Sequence, residues 1–330
     1  MEMKESLWSR DIGTHQIGKV AWGGVVKHLF TREWSVGARS ETGYVRNENQ
    51  DRMSCVRTPP GDVYIVSDGM GGHRGGALAA QLTIEALTQS LSHMHSISSV
   101  PAEIKHALEE ANKIVYERGH SADTETQGMG ATAVTVFVAR SQALVAHVGD
   151  SRAYIFTQGE LRQLTKDHSR VQHMVDVGML TAAEAASHPD ASILERAIGV
   201  SRDVTVDISS WIPLYEGDQI LLCSDGLHGY VPDNEIGAIL ATQATPQELA
   251  NQLVNLALQK GGEDNITVQL IEYGRALKRK WSKIMGRFRV VVPAAWGLPA
   301  IAVSGCGPAG PRQVNYVSKN RGFSRGCGET

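Results

Sequence analysis

The stretch ATAVTVFVARSQALVAHVGD, residues 131–150, holds two short apolar runs separated by a polar break at 140–142. Both runs are rich in β-branched residues, and a glycine and an aspartate follow the second. Runs of this length and composition predict two buried strands that are neighbours along the chain. The same pattern recurs at residues 62–67, 152–156, 219–224 and 265–271, so we expect a protein rich in strands.

Three longer segments place apolar residues at helical spacing. They are residues 75–93, 101–118 and 246–260. Each has one apolar face, which predicts amphipathic helices that pack against a core. Consecutive helices followed by adjacent strands indicate an α+β fold rather than alternating βαβ units.

The composition limits the class of protein. The chain has 330 residues, 42% of them hydrophobic, and a formal net charge of -3. A sizeable core is therefore expected, and no overall basic field indicates nucleic acid as a partner. The four cysteines form no CxxC pair, and the first residues lack the apolar run of a secretory signal. These features favour a cytoplasmic protein without a disulfide framework or a zinc knuckle.

The chain divides into three parts by pattern. Residues 1–33 show no sustained periodicity and are interpreted as a loosely ordered leader, and residues 34–273 carry the globular signals. The tail, 274–330, begins with seven basic residues in 275–289 and continues into an apolar run of 14 residues before a Gly-rich end. That run is shorter than the ~20 residues that cross a bilayer. We favour a flexible tail over the alternative, a contact of the basic stretch with a membrane surface.

Aspartates stand at the ends of the predicted strands. Asp68, Asp150 and Asp225 each follow an apolar strand and neighbour a glycine, whereas Asp51 and Asp264 come just before a strand. In an antiparallel sheet, the ends of strands that run one way share an edge with the starts of those that run the other. The five carboxylates are therefore predicted to converge on one rim.

Carboxylates this close would repel one another and raise each other's pKa. Divalent cations remove the conflict, and a set of Asp, backbone carbonyl and water ligands suits Mg²⁺ or Mn²⁺ rather than zinc. The alternative interpretation is that each Asp-Gly pair is only a turn that ends a strand. It explains any single pair, but not the whole set.

Seven short segments carry a resemblance to a known family. In chain order they are SETGYVRNENQD (40–51), DGMGGH (68–73), GATA (130–133), VGDSR (148–152), LTKDHS (164–169), SDGL (224–227) and GGEDNIT (261–267). Each is weak alone. Together they resemble the metal-dependent protein phosphatases of type 2C, especially the compact bacterial members, over roughly residues 34–273.

The resemblance implies a fold and an activity. The fold is two antiparallel β-sheets packed as a sandwich with helices on both outer faces. The activity is hydrolysis of phosphoserine and phosphothreonine in proteins by a hydroxide that bridges two metal ions, Mn²⁺ or Mg²⁺, with a third ion as a further expectation. The implied partners are phosphorylated proteins, substrates of a serine/threonine kinase, and we expect a monomer.

The resemblance also implies roles for single residues in the metal sites. Asp68 would bridge two ions, and the carbonyl of Gly69 would bind one of them. Asp225 and Asp264 would complete the first site. Asp51 would act near the second ion through water.

Two further roles follow from the same resemblance. Asp150 would bind the third, weaker ion, and Arg46 would grip the substrate phosphate, where a planar guanidinium makes two charge-assisted hydrogen bonds. Arg46, Asp68 and Asp225 are thus the expected catalytic residues.

Two positions depart from the family pattern. Gln50 stands where many relatives have a glutamate ligand, and Met70 stands where some have a histidine proposed as general acid. A thioether cannot donate a proton, so a metal-bound water or, as the alternative, His73 would have to protonate the leaving alkoxide. These departures motivate a second hypothesis, a catalytically weak phosphatase-like domain that binds phosphorylated signalling partners.

Two other enzyme classes have partial motifs in the chain. GMGATA at 128–133 is close to a dinucleotide-binding fingerprint, but strand-forming residues follow where a helix must begin. GDSRA at 149–153 is close to a nucleophile elbow, but it lacks the final glycine and also leads into a strand. Both classes are therefore disfavoured.

Overall fold

The computed structural model describes residues 34–71, 75–121 and 126–274. The predicted leader, almost all of the predicted tail, and His73 lie outside the described residues.

Every predicted strand and helix is present, together with further elements that the sequence did not predict. In chain order the strands are β1 Trp34–Glu41, β2 Arg52–Arg57, β3 Asp62–Ser67, β4 Gly69–Met70, β5 Gly130–Ala131, β6 Ala133–Ala139, β7 Gln142–Val148, β8 Arg152–Thr157, β9 Glu160–Gln163, β10 Asp207–Ile208, β11 Ile212–Pro213, β12 Gln219–Cys223 and β13 Ile266–Tyr273. The helices are α1 Gly75–Leu91, α2 Val100–Gly119, α3 Arg170–Asp176, α4 Ala182–Ala186, α5 Asp225–His228, α6 Asp233–Leu240 and α7 Pro246–Gln259.

The strands form two larger antiparallel sheets. The first has the order β1-β13-β12-β8-β9, and the second has the order β10-β7-β6-β3-β2, with β11 also paired to β7. All pairings within them are antiparallel. A small third sheet joins β4 to β5.

The two larger sheets pack face to face. Val136 of the second sheet and Ile155 and Leu222 of the first belong to one buried cluster between them. The neighbours of these residues along each strand point to the opposite face, because side chains alternate in a strand. Both faces of each sheet are therefore covered, which explains why the inner strands β3, β6 and β12 are buried at every position.

Helices cover both outer faces. Leu87 of α1 and Leu108 of α2 pack in one cluster with Phe137 of β6. On the other side, Leu253 of α7 packs in a cluster with Val268 of β13. The α+β sandwich with helices on both outer faces is thus confirmed.

Helix α7 shows how the sequence sets a helix boundary. Thr245 caps it by accepting a hydrogen bond from the N–H of Glu248, whose side chain accepts in return from the N–H of Thr245. Pro246 occupies the first turn, where its missing N–H is not needed. The helix packs against β1 and β13 and so supports the turn that precedes β13.

Within the described residues, no helix combines the length and the apolar character that crossing a bilayer requires.

Candidate metal centre

A cavity of about 600 Å³ opens where strand ends from both sheets meet. Most of the residues predicted for the site line it: Arg46, Asp68, Gly69, Asp150, Asp225 and Asp264. The seventh, Asp51, is not part of the lining and is only 3% exposed. Its carboxylate accepts a hydrogen bond from Ser224, the residue that precedes Asp225. The five strand-end aspartates therefore come together, as the antiparallel geometry predicts.

Asp68 is fixed by a double contact with Thr132, at the junction of β5 and β6. The N–H of Asp68 donates to Oγ1 of Thr132 at 2.9 Å. The N–H of Thr132 donates to the carbonyl of Asp68 at 2.7 Å. Thr132 thus holds both the N–H and the carbonyl of Asp68, and Asp68 lines the cavity.

Gly69 lies in close contact with the start of α1. A Cβ atom at Gly69 would lie 2.0 Å from the carbonyl oxygen of Gly76, so only glycine fits. A Cβ at Gly76 would in turn lie 2.6 Å from Oε1 of Gln50 and 2.7 Å from the carbonyl oxygen of Gly69. The amide oxygen of Gln50 and the Gly69 carbonyl therefore face the same small space, beside the cavity that both residues line.

Two buried carboxylate oxygens have no hydrogen-bond partner among the described residues. They are Oδ1 of Asp51 and Oδ1 of Asp225. The other oxygen of Asp51 accepts from Ser224 Oγ at 2.7 Å, and that hydroxyl accepts from the N–H of Thr267 at 3.0 Å. A buried carboxylate oxygen without a donor is costly, and a cation supplies what is missing.

Burial and mutual repulsion raise the pKa values of four carboxyls in the cluster. Burial is the largest cause for Asp51, whose pKa rises to about 7, and for Asp225, whose pKa rises to about 6. Burial and the neighbouring carboxylates also raise the pKa values of Asp68 and Asp150 well above the ordinary range. Such a cluster holds its charge poorly by itself and is suited to divalent cations.

Arg46 lies at the mouth of the cavity and contacts Asp264. Its Nη2 donates to Oδ2 of Asp264 at 2.8 Å. Oδ1 of Asp264 accepts from the N–H of Asn265, also at 2.8 Å. The Arg46 side chain is 53% exposed, so most of its donors can reach a molecule that enters from solvent.

Asp150 sits in the turn between β7 and β8. The Nε2 atom of His228 donates to its carbonyl oxygen at 3.0 Å. Burial lowers the pKa of His228 to about 3, so this ring is neutral and its single N–H is committed to that bond. The preceding residue, Gly149, exchanges hydrogen bonds with His168.

A second group of potential ligands lies outside the cavity. Atoms of His147, His168 and Asp207 lie within 4.8 Å of one another. However, Nδ1 of His168 accepts from the N–H of Gly149, which places the proton of the neutral ring on Nε2, 3.2 Å from Asp207. Nε2 of His147 bonds the carbonyl of Lys166 at 2.8 Å. Hydrogen bonds thus engage one ring nitrogen of each histidine and link β7 to the segment after β9, whereas the buried Nε2 of His168 makes no hydrogen bond among the described residues.

Comparison with known proteins identifies the family. The model of the family described as Protein phosphatase 2C matches residues 44–270. A serine/threonine phosphatase named stp from Listeria monocytogenes is 36% identical over 238 residues, which cover 71% of this chain and 94% of the relative. The chain belongs to the protein phosphatase 2C family. It is a metal-dependent hydrolase that removes phosphate from serine and threonine residues of proteins.

Solved structures agree with this membership. The serine/threonine phosphatase of S. agalactiae superposes with a TM-score of 0.69 at 35% identity, covering 73% of this chain and 99% of that one. The catalytic domain of the phosphatase PstP, solved with 2 manganese ions, superposes with a TM-score of 0.63 at 33% identity, covering 72% and 97%. The cofactor of the present chain is manganese or magnesium.

Several residues that shape the centre have no predicted role in the sequence analysis. Thr132, Ser224 and Asn265 belong to motifs that carry the resemblance, and His228 follows one of them. Motif membership marks such positions, but only the hydrogen bonds show what each side chain holds. Of the two departures from the family pattern, both Gln50 and Met70 line the cavity.

Proposed function

We propose that the phosphatase reaction takes place in this cavity and that the residues predicted from the sequence carry it. One observation supports the proposal most strongly: five aspartates from distant parts of the chain meet at one partly buried place. Two of their oxygens, on Asp51 and Asp225, have no hydrogen-bond donor among the described residues. Carboxylate and carbonyl oxygens are the ligands that Mg²⁺ and Mn²⁺ prefer.

The ligand assignment follows the positions of the carboxylates. Asp68 lies centrally, since the charges of Asp51, Asp150, Asp225 and Asp264 all act on its carboxyl. Asp68 would hold two core ions, and the carbonyl of Gly69 would be a further ligand of one of them. Divalent cations held here supply positive charge to phosphoryl oxygens and lower the pKa of an attacking water.

The remaining carboxylates complete the proposed sites. Asp225 and Asp264 interact electrostatically with each other and are assigned to the first ion. Asp51, buried behind the lining, would act on the second ion through water. Asp150, held by His228, is assigned to a third ion.

Arg46 is proposed to bind the substrate phosphate. Its contact with Asp264 holds the guanidinium next to the carboxylate cluster, and its exposed face is free to meet a phosphate from solvent. A guanidinium fits two phosphate oxygens at once and stabilises their charge throughout the reaction. Most catalysis of phosphoryl transfer resides in such positioning and charge stabilisation.

The walls of the cavity are where the protein part of the substrate would lie. Val45, next to Arg46, is 65% exposed and lines one side. Ser192 and Leu194, from the segment between β9 and β10, also line it. A phosphoserine or phosphothreonine can thus reach the carboxylates while its flanking residues contact these walls. Met70 has no proton to give, so we assign it no acid role.

Several broader proposals accompany this assignment. We assign the activity to residues 34–273 and treat 1–33 and 274–330 as a leader and a flexible tail. The substrates would be proteins phosphorylated by a serine/threonine kinase, the phosphatase a monomer, and its location the cytoplasm. Cys55 and Cys223 form no disulfide in the described part of the chain, which is usual for a reducing compartment.

Hydrolysis of p-nitrophenyl phosphate and of a phosphothreonine peptide tests the proposal. Both should be hydrolysed with Mn²⁺, and both reactions should stop when EDTA removes the metal. Turnover that survives complete chelation would contradict the metal centre. Binding of the phosphopeptide without turnover under any divalent ion would instead support the phosphatase-like binding domain.

A further inference from the structure

An irregular loop, residues 42–50, carries Arg46 to the mouth of the cavity. No helix or sheet satisfies the main-chain N–H and C=O groups of such a loop. Those groups must find other partners if the loop is to keep one conformation. Several of the partners come from a single side chain, that of Asn265.

Asn265 makes three hydrogen bonds to the main chain of this loop. Its Nδ2 donates to the carbonyl of Thr42 at 2.8 Å and to the carbonyl of Glu48 at 3.0 Å. Its Oδ1 accepts from the N–H of Gln50 at 2.7 Å. Two acceptors and one donor around the amide leave only one orientation for it. The side chain therefore ties both ends of the loop to one point.

Asn265 has no donor left for a substrate. Both hydrogens of its amide group are used, and the residue is only 4% exposed although it borders the cavity. The side chain of Asn265 can therefore influence phosphate binding only through the loop that it holds.

The turn that contains Asn265 supports the loop at two more points. The N–H of Tyr44 donates to the carbonyl of Gly262 at 2.6 Å. Arg46 donates to Asp264 at 2.8 Å. Residues 261–265 thus support the loop through five hydrogen bonds, and the side chain of Asn265 makes three of them.

We propose that Asn265 is a positioning residue for phosphate binding: it fixes the path of residues 42–50 and so the place of the Arg46 guanidinium relative to the carboxylates. The inference rests on the proposed role of Arg46. A misplacement of about 1 Å at a positioning group can lower the rate about 100-fold. Loss of the three hydrogen bonds should therefore weaken substrate binding as well as lower the stability of the fold.

The chain offers a matched control in Asn112 of α2. This asparagine is also buried, 1% exposed. Its Nδ2 donates to the carbonyls of Ser201 and Arg202, both at 3.0 Å, and its Oδ1 accepts from the N–H of Gly199 at 2.8 Å. It makes the same three kinds of bond to another segment and does not line the cavity. Its loss should affect stability alone.

The experiment compares Asn265→Ala with Asn112→Ala in the full chain with saturating Mn²⁺. Both variants should lower Tm by similar amounts. Only Asn265→Ala should raise KM for p-nitrophenyl phosphate, about 10- to 100-fold, and only it should lower the ¹⁵N heteronuclear NOE of amides in residues 42–50. In the Arg46→Ala background, Asn265→Ala should change KM less than twofold, because its effect passes through Arg46.

Several outcomes would overturn the inference. They are a KM within twofold of the wild type, unchanged order of the loop, or an equal effect of both asparagine variants on KM. If the alanine variant does not fold, Asn265→Asp fills the same space and removes the two donors, so the same measurements apply. The loop order is measured without turnover. If the wild-type protein were inactive but Asn265→Ala still loosened the loop, the proposed function would be refuted. The claim that Asn265 holds residues 42–50 in place would stand.

Discussion

Nη2 of Arg46 lies 2.8 Å from Oδ2 of Asp264, so the proposed phosphate-binding cation is paired with a proposed metal ligand. The two residues are 218 positions apart in the sequence. Their contact joins the substrate-binding side of the cavity to the carboxylate side. It also means that a cation next to Asp264 and the guanidinium act on the same carboxylate.

Arg46→Ala should separate phosphate binding from metal binding. Charge-assisted hydrogen bonds contribute about 1.5–3 kcal/mol, so kcat/KM for p-nitrophenyl phosphate should fall about 10- to 100-fold. Mn²⁺ affinity should be unchanged or higher, because a positive charge leaves the cluster. Isothermal titration with Mn²⁺ and steady-state kinetics measure the two effects.

Arg39→Ala is the control for this prediction. Arg39 pairs with Glu41 on β1 and does not line the cavity, so both quantities should stay at their wild-type values. Weakened Mn²⁺ binding in Arg46→Ala would show that the guanidinium supports the metal centre and would contradict the division of roles.

Asp225→Asn should abolish activity without unfolding the protein. The substitution removes a proposed metal ligand, and the rate should fall by about three orders of magnitude, in line with the several kcal/mol that a metal contributes. In EDTA the variant should melt at an equal or higher temperature, since one of several repelling carboxylates is gone. Kinetics and thermal melts test both parts. The exposed Asp203→Asn should change neither, and full activity in a folded Asp225→Asn variant would remove Asp225 from the centre.

Metal binding should depend on pH and release protons. Burial raises the pKa of Asp51 to about 7 and that of Asp225 to about 6, so the metal-free protein holds protons that an unfolded chain with ordinary carboxyls has lost. Ligands must be deprotonated to bind a cation. Mn²⁺ affinity should therefore fall as the pH drops from 7.5 to 5.5, with net proton release near pH 6.5.

Calorimetry of Mn²⁺ binding in buffers of different ionisation enthalpy measures this release directly. The lowered pKa values of the buried histidines His168 and His228 make folding less favourable at low pH, whereas the raised carboxyl pKa values make it less favourable at high pH. These histidines bind no cation in this account. A binding enthalpy that is the same in all buffers at pH 6.5 would contradict the raised pKa values.

Gln50→Glu should strengthen metal binding and weaken the metal-free fold. The amide oxygen of Gln50 faces the same space as the carbonyl of Gly69, a proposed metal ligand, so a carboxylate there would add negative charge beside that ligand. Mn²⁺ affinity should rise about tenfold or more, whereas Tm in EDTA should fall because the cluster gains a repelling charge. Titration calorimetry and melts measure these effects. Gln142→Glu, at the exposed start of β7, should leave both unchanged, and weaker Mn²⁺ binding in Gln50→Glu would refute this placement.

The sequence predicts the interior of this fold well because the strands are covered on both faces. β3 coincides with its predicted segment, and β6, β7, β12 and β13 agree within two residues at each end. Their unbroken apolar runs show that these segments are buried on both faces. The rule for antiparallel strand ends predicts that aspartates of one sheet share an edge. The aspartates come from both sheets, so their convergence also requires the face-to-face packing of the two sheets.

Elements at the periphery escape such reasoning. β1 has mostly half-buried residues and a glycine at its centre, so its pattern is weak. Gly37 is required because a Cβ there would lie 2.2 Å from the backbone of Pro246 and Gln247 in α7, a contact that no local pattern encodes. The three hydrogen bonds from Asn265 to the loop cannot be predicted from the sequence either, because their partners are main-chain groups more than 200 positions away.

Anomalous diffraction at the manganese edge, from crystals soaked in Mn²⁺, tests the central claim most directly. The account predicts at least two manganese peaks in the cavity, with the carboxylates of Asp68 and Asp225 as ligands. Manganese found only elsewhere, for example between His147 and Asp207, in crystals of a protein that hydrolyses phosphopeptides with Mn²⁺ would contradict it.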